Sequence, residues 1–135
     1  MNDRDAITDL VSRLGLWLDE KRFDETEPLF TDDVTVSTPG GQARGVERVA
    51  AQARRNHEGV ETQHVITNVL VDVDADRATA RANLIVTFVP DPGRPEVNRT
   101  HGERYRFEAA RTATGWRLNR VEVVPLWIRQ AAAGE

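Results

Sequence analysis

The second half of this chain is written in period two. Apolar and polar residues alternate over 62–73 and 77–89, and again over 101–112 and 116–128, as half-buried strands do. Asp74-Ala75-Asp76 separates the first pair and Thr112-Ala113-Thr114-Gly115 the second, each short enough to close a hairpin. Between the pairs, Pro90-Asp91-Pro92-Gly93-Arg94-Pro95 cannot lie inside a strand and reads as an exposed loop. Four long antiparallel strands must bury at least one face, and the cover has to come from the residues before them.

Those residues are helical in period. Ile7, Leu10, Val11, Leu14, Trp17 and Leu18 define a helix over roughly residues 4–20, and Leu16, off that stripe, implies cover on a second side. Asp24 is placed to cap a short second helix carrying Leu29 and Phe30, with Pro28 early enough to be tolerated. Val34–Thr38 reads as a short strand closed by Pro39-Gly40-Gly41. After Gly45, the residues Val46, Val49 and Ala53 mark a third helix ending near Gly59. Helices first and strands last is segregated α+β. The expected form is a curved, antiparallel-rich sheet wrapped around three N-terminal helices, a cone with one apolar pocket, in a single domain spanning 1–135. The tail from Ala131 to Glu135 reads as a fraying end.

Composition narrows the function classes. With 135 residues, no cysteine and 39% apolar residues, the chain builds its core without a disulfide staple. A net charge of −4 argues against nucleic acid, which requires a basic face; Arg54 and Arg55 fit a solvated helix face. No apolar run is long enough to span a bilayer, and the start lacks the pattern of a signal peptide, so the expected location is cytoplasmic.

Candidate chemistry is sparse. His64 lies in Glu61-Thr62-Gln63-His64-Val65-Ile66-Thr67-Asn68. Uninterrupted alternation puts His64, Ile66, Asn68 and Leu70 on one strand face, mixed as a pocket wall would be. Val65, Thr67, Val69, Val71 and Val73 then share the other face, and its valines imply burial. Asp19 closes the first helix, away from the apolar stripe and near Ser12 and Gly15, so periodicity alone does not select it. If buried there, it needs a cationic or hydrogen-bond-donating partner, because burial and the helix C-terminus both disfavour its charge. His57 and His101 complete the three histidines, which show no metal-ligand spacing; neither a serine elbow nor a cysteine nucleophile is present. On their own, these spacings leave His64 open between a base and a histidine satisfied near a strand end.

Several short motifs occur in a telling order. They are Asp5-Ala6-Ile7-Thr8-Asp9-Leu10-Val11, then Asp19, then Phe30-Thr31-Asp32-Asp33-Val34, then Gly45-Val46-Glu47, then Thr62-Gln63-His64 with Asn68, then Arg111 and Gly115-Trp116-Arg117. Together they resemble SnoaL-like domains of the nuclear transport factor 2-like superfamily, nearest to the branch of scytalone dehydratase, lindane dehydrochlorinase and bile-acid 7α-dehydratase. That resemblance implies a lyase without cofactor or metal, of a kind that commonly forms trimers. The apolar faces of Val65, Val69, Val71 and Val73 and of Ala78, Ala80, Ala82, Leu84 and Val86 lead to the expectation of a homodimer or homotrimer. The resemblance implies catalysis by Asp19 and His64, the carboxylate orienting an imidazole base. Trp17, Asn68, Phe88, Tyr105, Phe107, Arg120 and Trp127 are the residues expected to bind a small apolar or aromatic substrate. The sequence departs from its relatives where Leu14 and Leu18 stand in place of a pocket tyrosine, and where Arg120 falls one residue short of the expected offset from Trp116. The same base could eliminate, isomerise or cyclise. A polyketide-cyclase or ketosteroid-isomerase-like enzyme with Asp19 as the base is the alternative, and a non-catalytic binding or assembly module is another.

Overall fold

The computed structural model describes residues 1–131. The elements, in order, are α1 (Asp3–Asp19), β1 (Phe30–Thr38), β2 (Gly41–Arg44), α2 (Val46–Asn56), β3 (Glu61–Asp74), β4 (Arg77–Val89), β5 (Arg99–Thr112) and β6 (Gly115–Gln130). The six strands form one sheet in the order β2-β1-β6-β5-β4-β3. The four long strands are antiparallel throughout, as the alternation implies, while β1 runs parallel to β6 and makes the sheet mixed.

Among the described residues there are two helices instead of the expected three. Around residues 24–30 the chain makes a single turn, in which Leu29 and Phe30 donate to the Thr26 carbonyl. Pro28 has no N–H to donate, and the Leu29 carbonyl accepts from Leu118 of β6 at 2.8 Å, so sheet pairing takes the carbonyl that a helix would need. Asp24 caps nothing and instead meets Arg54 at 2.8 Å. Strand β1 therefore begins at Phe30, four residues earlier than the apolar pattern suggests, and β2 is too short to have left a pattern at all. Of the tail, Ala131 still donates to Asn98; the fraying expected for 132–135 concerns residues outside those described.

One face of the sheet carries the helices. Helix α1 packs on β3 and β6, and α2 on β1 and β2. Strand β4 shows the alternation most plainly: Ala78, Ala80, Ala82, Leu84 and Val86 are buried, and the residues between them are exposed. With Ile7, Val11, Val34 and Leu118 fully enclosed, each contributing about 1.5–3 kcal/mol by burial, this layer is the core. Leu16 is 54% exposed, so α1 is covered on one side only.

The N-terminus of α1 is anchored. Asn2 caps it by accepting from the Asp5 amide at 2.8 Å. Asp3 accepts from both terminal nitrogens of Arg111 and from the Trp116 indole, while Arg111 lies 4.6 Å above that indole ring. Arg111 and Gly115-Trp116 thus tie α1 to the β5–β6 hairpin. The helix ends in a Schellman motif, in which Lys21 adopts φ +54° and Arg22 donates back to the Trp17 carbonyl.

A bulge overturns part of the face assignment for β3. Thr67 pairs with Asn83 but Leu70 pairs with Arg81, so Asn68 and Val69 oppose one residue of β4. Asn68 takes φ +57°, a left-handed conformation that asparagine tolerates better than most residues. Past the bulge the alternation is reversed. The partly buried valines Val69, Val71 and Val73 lie on the face of His64 and Ile66 and pack on the core, while Val65, Thr67, Asn68 and Leu70 face away.

Candidate active site

Gly15 faces β3, and a Cβ built on it would sit 3.1 Å from Ile66 Cδ1 and 3.8 Å from His64 Cβ. Without a side chain there, α1 lies close against β3. One helical turn further on, the same stripe delivers Asp19 to the first inward-facing residues of the strand. Asp19 Oδ1 accepts from the Thr62 hydroxyl at 2.9 Å and from His64 Nδ1 at 2.6 Å, and Oδ2 accepts from the His64 backbone N–H at 2.9 Å. Burial pushes the Asp19 carboxyl up, but the hydrogen bonds and charge of His64, with the Thr62 bond, together outweigh it and hold the group below its ordinary value. An ionised carboxylate only accepts, so Nδ1 of His64 carries a proton, and in the neutral ring the lone pair lies on Nε2.

Of this pair, His64 lines a cavity of ≈ 290 Å³ between the helices and the sheet. Its walls are mainly apolar, from Leu14 and Leu18 of α1, Val49 of α2, Leu84 and Val86 of β4 and Val121 of β6. Leu14 and Leu18, which replace the tyrosine of some relatives, therefore face it directly.

Of the residues expected to bind substrate, three line the cavity: Trp17, Phe88 and Tyr105. Trp17 packs edge-on against Phe23 and Phe30, and its buried indole nitrogen has no partner among the described residues. Tyr105 is 3% exposed, and burial drives its phenol strongly upward, keeping it neutral.

Four are not at the cavity, each for a local reason. Phe107 lies in the core beside Tyr105, with ring centroids 4.9 Å apart. Asn68 is spent on the bulge and exposed. Arg120 points outward to Glu108 at 3.4 Å; an extra residue, Asn119, is accommodated in β6 where Glu108 pairs with Arg120 but Ala109 with Leu118, and this sets the face. Trp127 covers Gly102 on the outer face, where a Cβ on that glycine would run into the indole, and it is 45% exposed.

The cavity also gathers polar groups that the sequence reading left unassigned: His57, His101 and Glu103. His57 Nδ1 donates to the Ala53 carbonyl at 2.8 Å, which leaves Nε2 bare, and its ring lies 6.0 Å from that of His64. Burial lowers its pKa, more than the Ala53 bond restores. His101 sits 4.9 Å from Phe88, whose ring also carries the Arg99 guanidinium at 4.6 Å; burial, then Arg99, push this imidazole down. Period two on β5 places His101 and Glu103 on the face of Tyr105, Phe107 and Ala109, a signal that was available. Among the described residues, no three His, Cys, Asp or Glu side chains group to hold a metal ion.

Helices laid on one face of a mixed sheet, with a cavity between them, define an α+β pocket protein of the nuclear transport factor 2-like class. The SnoaL-like domain family matches residues 1–122, and the chain belongs to it. The fold is shared with a protein of Kribbella flavida, Kfla4162, at 26% identity over 96% of this chain and 94% of that one, TM-score 0.85. A type-2 hexachlorocyclohexane dehydrochlorinase, LinA, is similar at 20% identity over 96% and 89%, TM-score 0.83. A candidate scytalone dehydratase of Novosphingobium aromaticivorans is similar at 21% over 97% and 93%, TM-score 0.80. No curated protein matches the sequence. No helix among the described residues is long and apolar enough to cross a membrane.

Proposed function

We propose that the protein is a cofactor-independent lyase or isomerase of dehydratase type, in which His64 removes a proton from a small, largely apolar substrate and Asp19 holds the imidazole. The observation that carries this reading is the 2.6 Å contact between Asp19 Oδ1 and His64 Nδ1 at the wall of an apolar cavity. The carboxylate fixes the tautomer that leaves Nε2 basic, and it stabilises the cation formed when that nitrogen takes a proton. Two similar folds carry the names of eliminating enzymes, which is consistent with proton abstraction. The rival in which Asp19 is the base fits less well, because both its oxygens are occupied and its pKa is lowered. A purely structural role leaves a cavity of ≈ 290 Å³ without a purpose.

The test is a panel of cyclic hydroxy-ketones and polyketide-like aromatics, followed by kinetics on whichever is turned over. His64→Ala should lower kcat/KM by about a hundredfold or more, the scale of a positioned base. Full activity in that variant, with loss in Asp19→Asn, would transfer the role of base to the carboxylate.

A further inference from the structure

We propose that the cavity takes an amphipathic acid, a molecule whose ring system lies between the helices and the sheet and whose carboxylate is held at the open end by Arg99. This deepens the proposed function and rests on its reading of the cavity as the substrate site.

The exposed lining residues Pro39, Gly40, Asn56 and Arg99 mark the open end of the cavity. Arg99 begins β5, in one row with Phe88 and Thr62. Period two places it on the face of His101, Glu103 and Tyr105. Among the described residues it is the one arginine or lysine that lines the cavity. Its guanidinium lies 4.6 Å from the centroid of the Phe88 ring, a contact that holds the group in place without using its N–H donors. No carboxylate or carbonyl among the described residues accepts from that guanidinium. Asp19 is bonded to Thr62 and His64, and Glu103 has only His101 within ion-pair range, at 3.9 Å. The charge is felt inside the cavity, since Arg99 is the cause, after burial, that pushes His101 down. Arg104 is also without an ion pair, but it stands on the outer face, away from this opening.

A second, independent observation points to a polar group on the ligand. Gln52 is 6% exposed and lines the cavity from α2, and its side-chain amide makes no hydrogen bond among the described residues. A buried amide in an apolar wall is costly without a partner. Gly41, at φ +132°, makes room for it, because a Cβ there would come 2.9 Å from Gln52 Nε2. A wholly apolar ligand would leave both this amide and the guanidinium unanswered.

The strand rows set which end of the ligand goes where. His64 stands one row further in than Arg99, with Val86 and His101. Two residues along the strand and two strand spacings across put the backbones of His64 and Arg99 about 12 Å apart, so a one- or two-ring body reaches from guanidinium to imidazole. In the reverse orientation the carboxylate would meet Leu84 and Val121 in the apolar interior, stripped of water and unpaired. At the open end it keeps part of its hydration and gains a forked partner of opposite charge.

The test compares 2-naphthoic acid with 2-naphthamide, the same rings with an uncharged head, by calorimetry at neutral pH and low salt. The wild type should bind the acid about fivefold more tightly, the upper end for an ion pair open to water, and high salt should remove most of that margin. Arg99→Met, which keeps a stem over Phe88, should abolish the margin, and Arg99→Lys should restore part of it. Arg104→Met should leave it unchanged. Equal affinities in the wild type, an acid preference that survives Arg99→Met, an equal loss in Arg104→Met, or failure of the wild type to bind either probe would overturn the assignment. His64→Ala should keep the margin, whereas the turnover test decides the base, so the anchor and the base fail separately.

Discussion

Asp19→Asn keeps the shape of the side chain and removes its charge. Three donors converge on the wild-type carboxylate: the Thr62 hydroxyl, the His64 backbone N–H and His64 Nδ1. An amide offers one oxygen and one NH2. With its oxygen toward Thr62 and the imidazole, its NH2 meets the backbone N–H of His64, donor against donor; flipped, it meets the ring and the hydroxyl. Either way a partly buried donor loses its acceptor, at about 1–3 kcal/mol, and the surviving bonds lose their charge assistance. The Asp19 side chain is 18% exposed, and water relieves part of that loss, so about 2 kcal/mol is the expected cost. With a urea slope of roughly 2 kcal/mol/M for a domain of this size, the midpoint at neutral pH should fall by about 1 M. The sign with pH follows from the carboxyl's lowered pKa. Its stabilisation is complete above the ordinary value of 3.8 and is lost as pH falls through the lower folded value, so the gap between variant and wild type should narrow in strong acid. Nitrogen NMR of the His64 ring should show the Nδ1–H tautomer weakened in the variant, and turnover should fall by about 10²-fold or more. Equal midpoints at pH 7 together with an unchanged ring tautomer would refute the reasoning.

Asn68→Gly should unfold thermally close to the wild type, whereas Asn68→Val should cost about 1–2 kcal/mol, because a β-branched residue resists the left-handed conformation; equal melting of the two would show that the bulge does not depend on it. Val65 and Ile85 pair across β3 and β4 on the outer face, 47% and 45% exposed, with Leu70 at 63% nearby. We propose that a homodimer or homotrimer covers this face. Light scattering should show an oligomer at micromolar concentration that Val65→Glu with Ile85→Glu reduces to monomer, and a monomeric wild type would refute it.

The assignments that failed did so at places where a backbone group had to choose between local and distant partners. A helix at 24–30 satisfies the local pattern, but the Leu29 carbonyl bonds to Leu118 in a strand nearly ninety residues away along the sequence. Asn68 was placed by counting in twos, and Arg120 and Trp127 by the family resemblance; each lies beside a register shift that alters which face a strand residue takes. Asp19 lay outside the apolar stripe, and only the motif order singled it out. In the fold, its stripe with Gly15 proves to be the one turned toward β3, where the missing side chain allows close approach.

By itself the sequence determined the segregated α+β order, the four long antiparallel strands, the first helix to within a residue or so, and the family, because hydrophobic periodicity and short ordered motifs are local properties of the chain. The tertiary structure alone decided that β1 runs parallel beside β6, that the valines of β3 change face at a bulge, and that His57, His101 and Glu103 meet His64 around one cavity. Those outcomes depend on hydrogen bonds and packing between residues far apart in the chain, and one inserted residue in a strand is enough to turn every side chain beyond it to the other face.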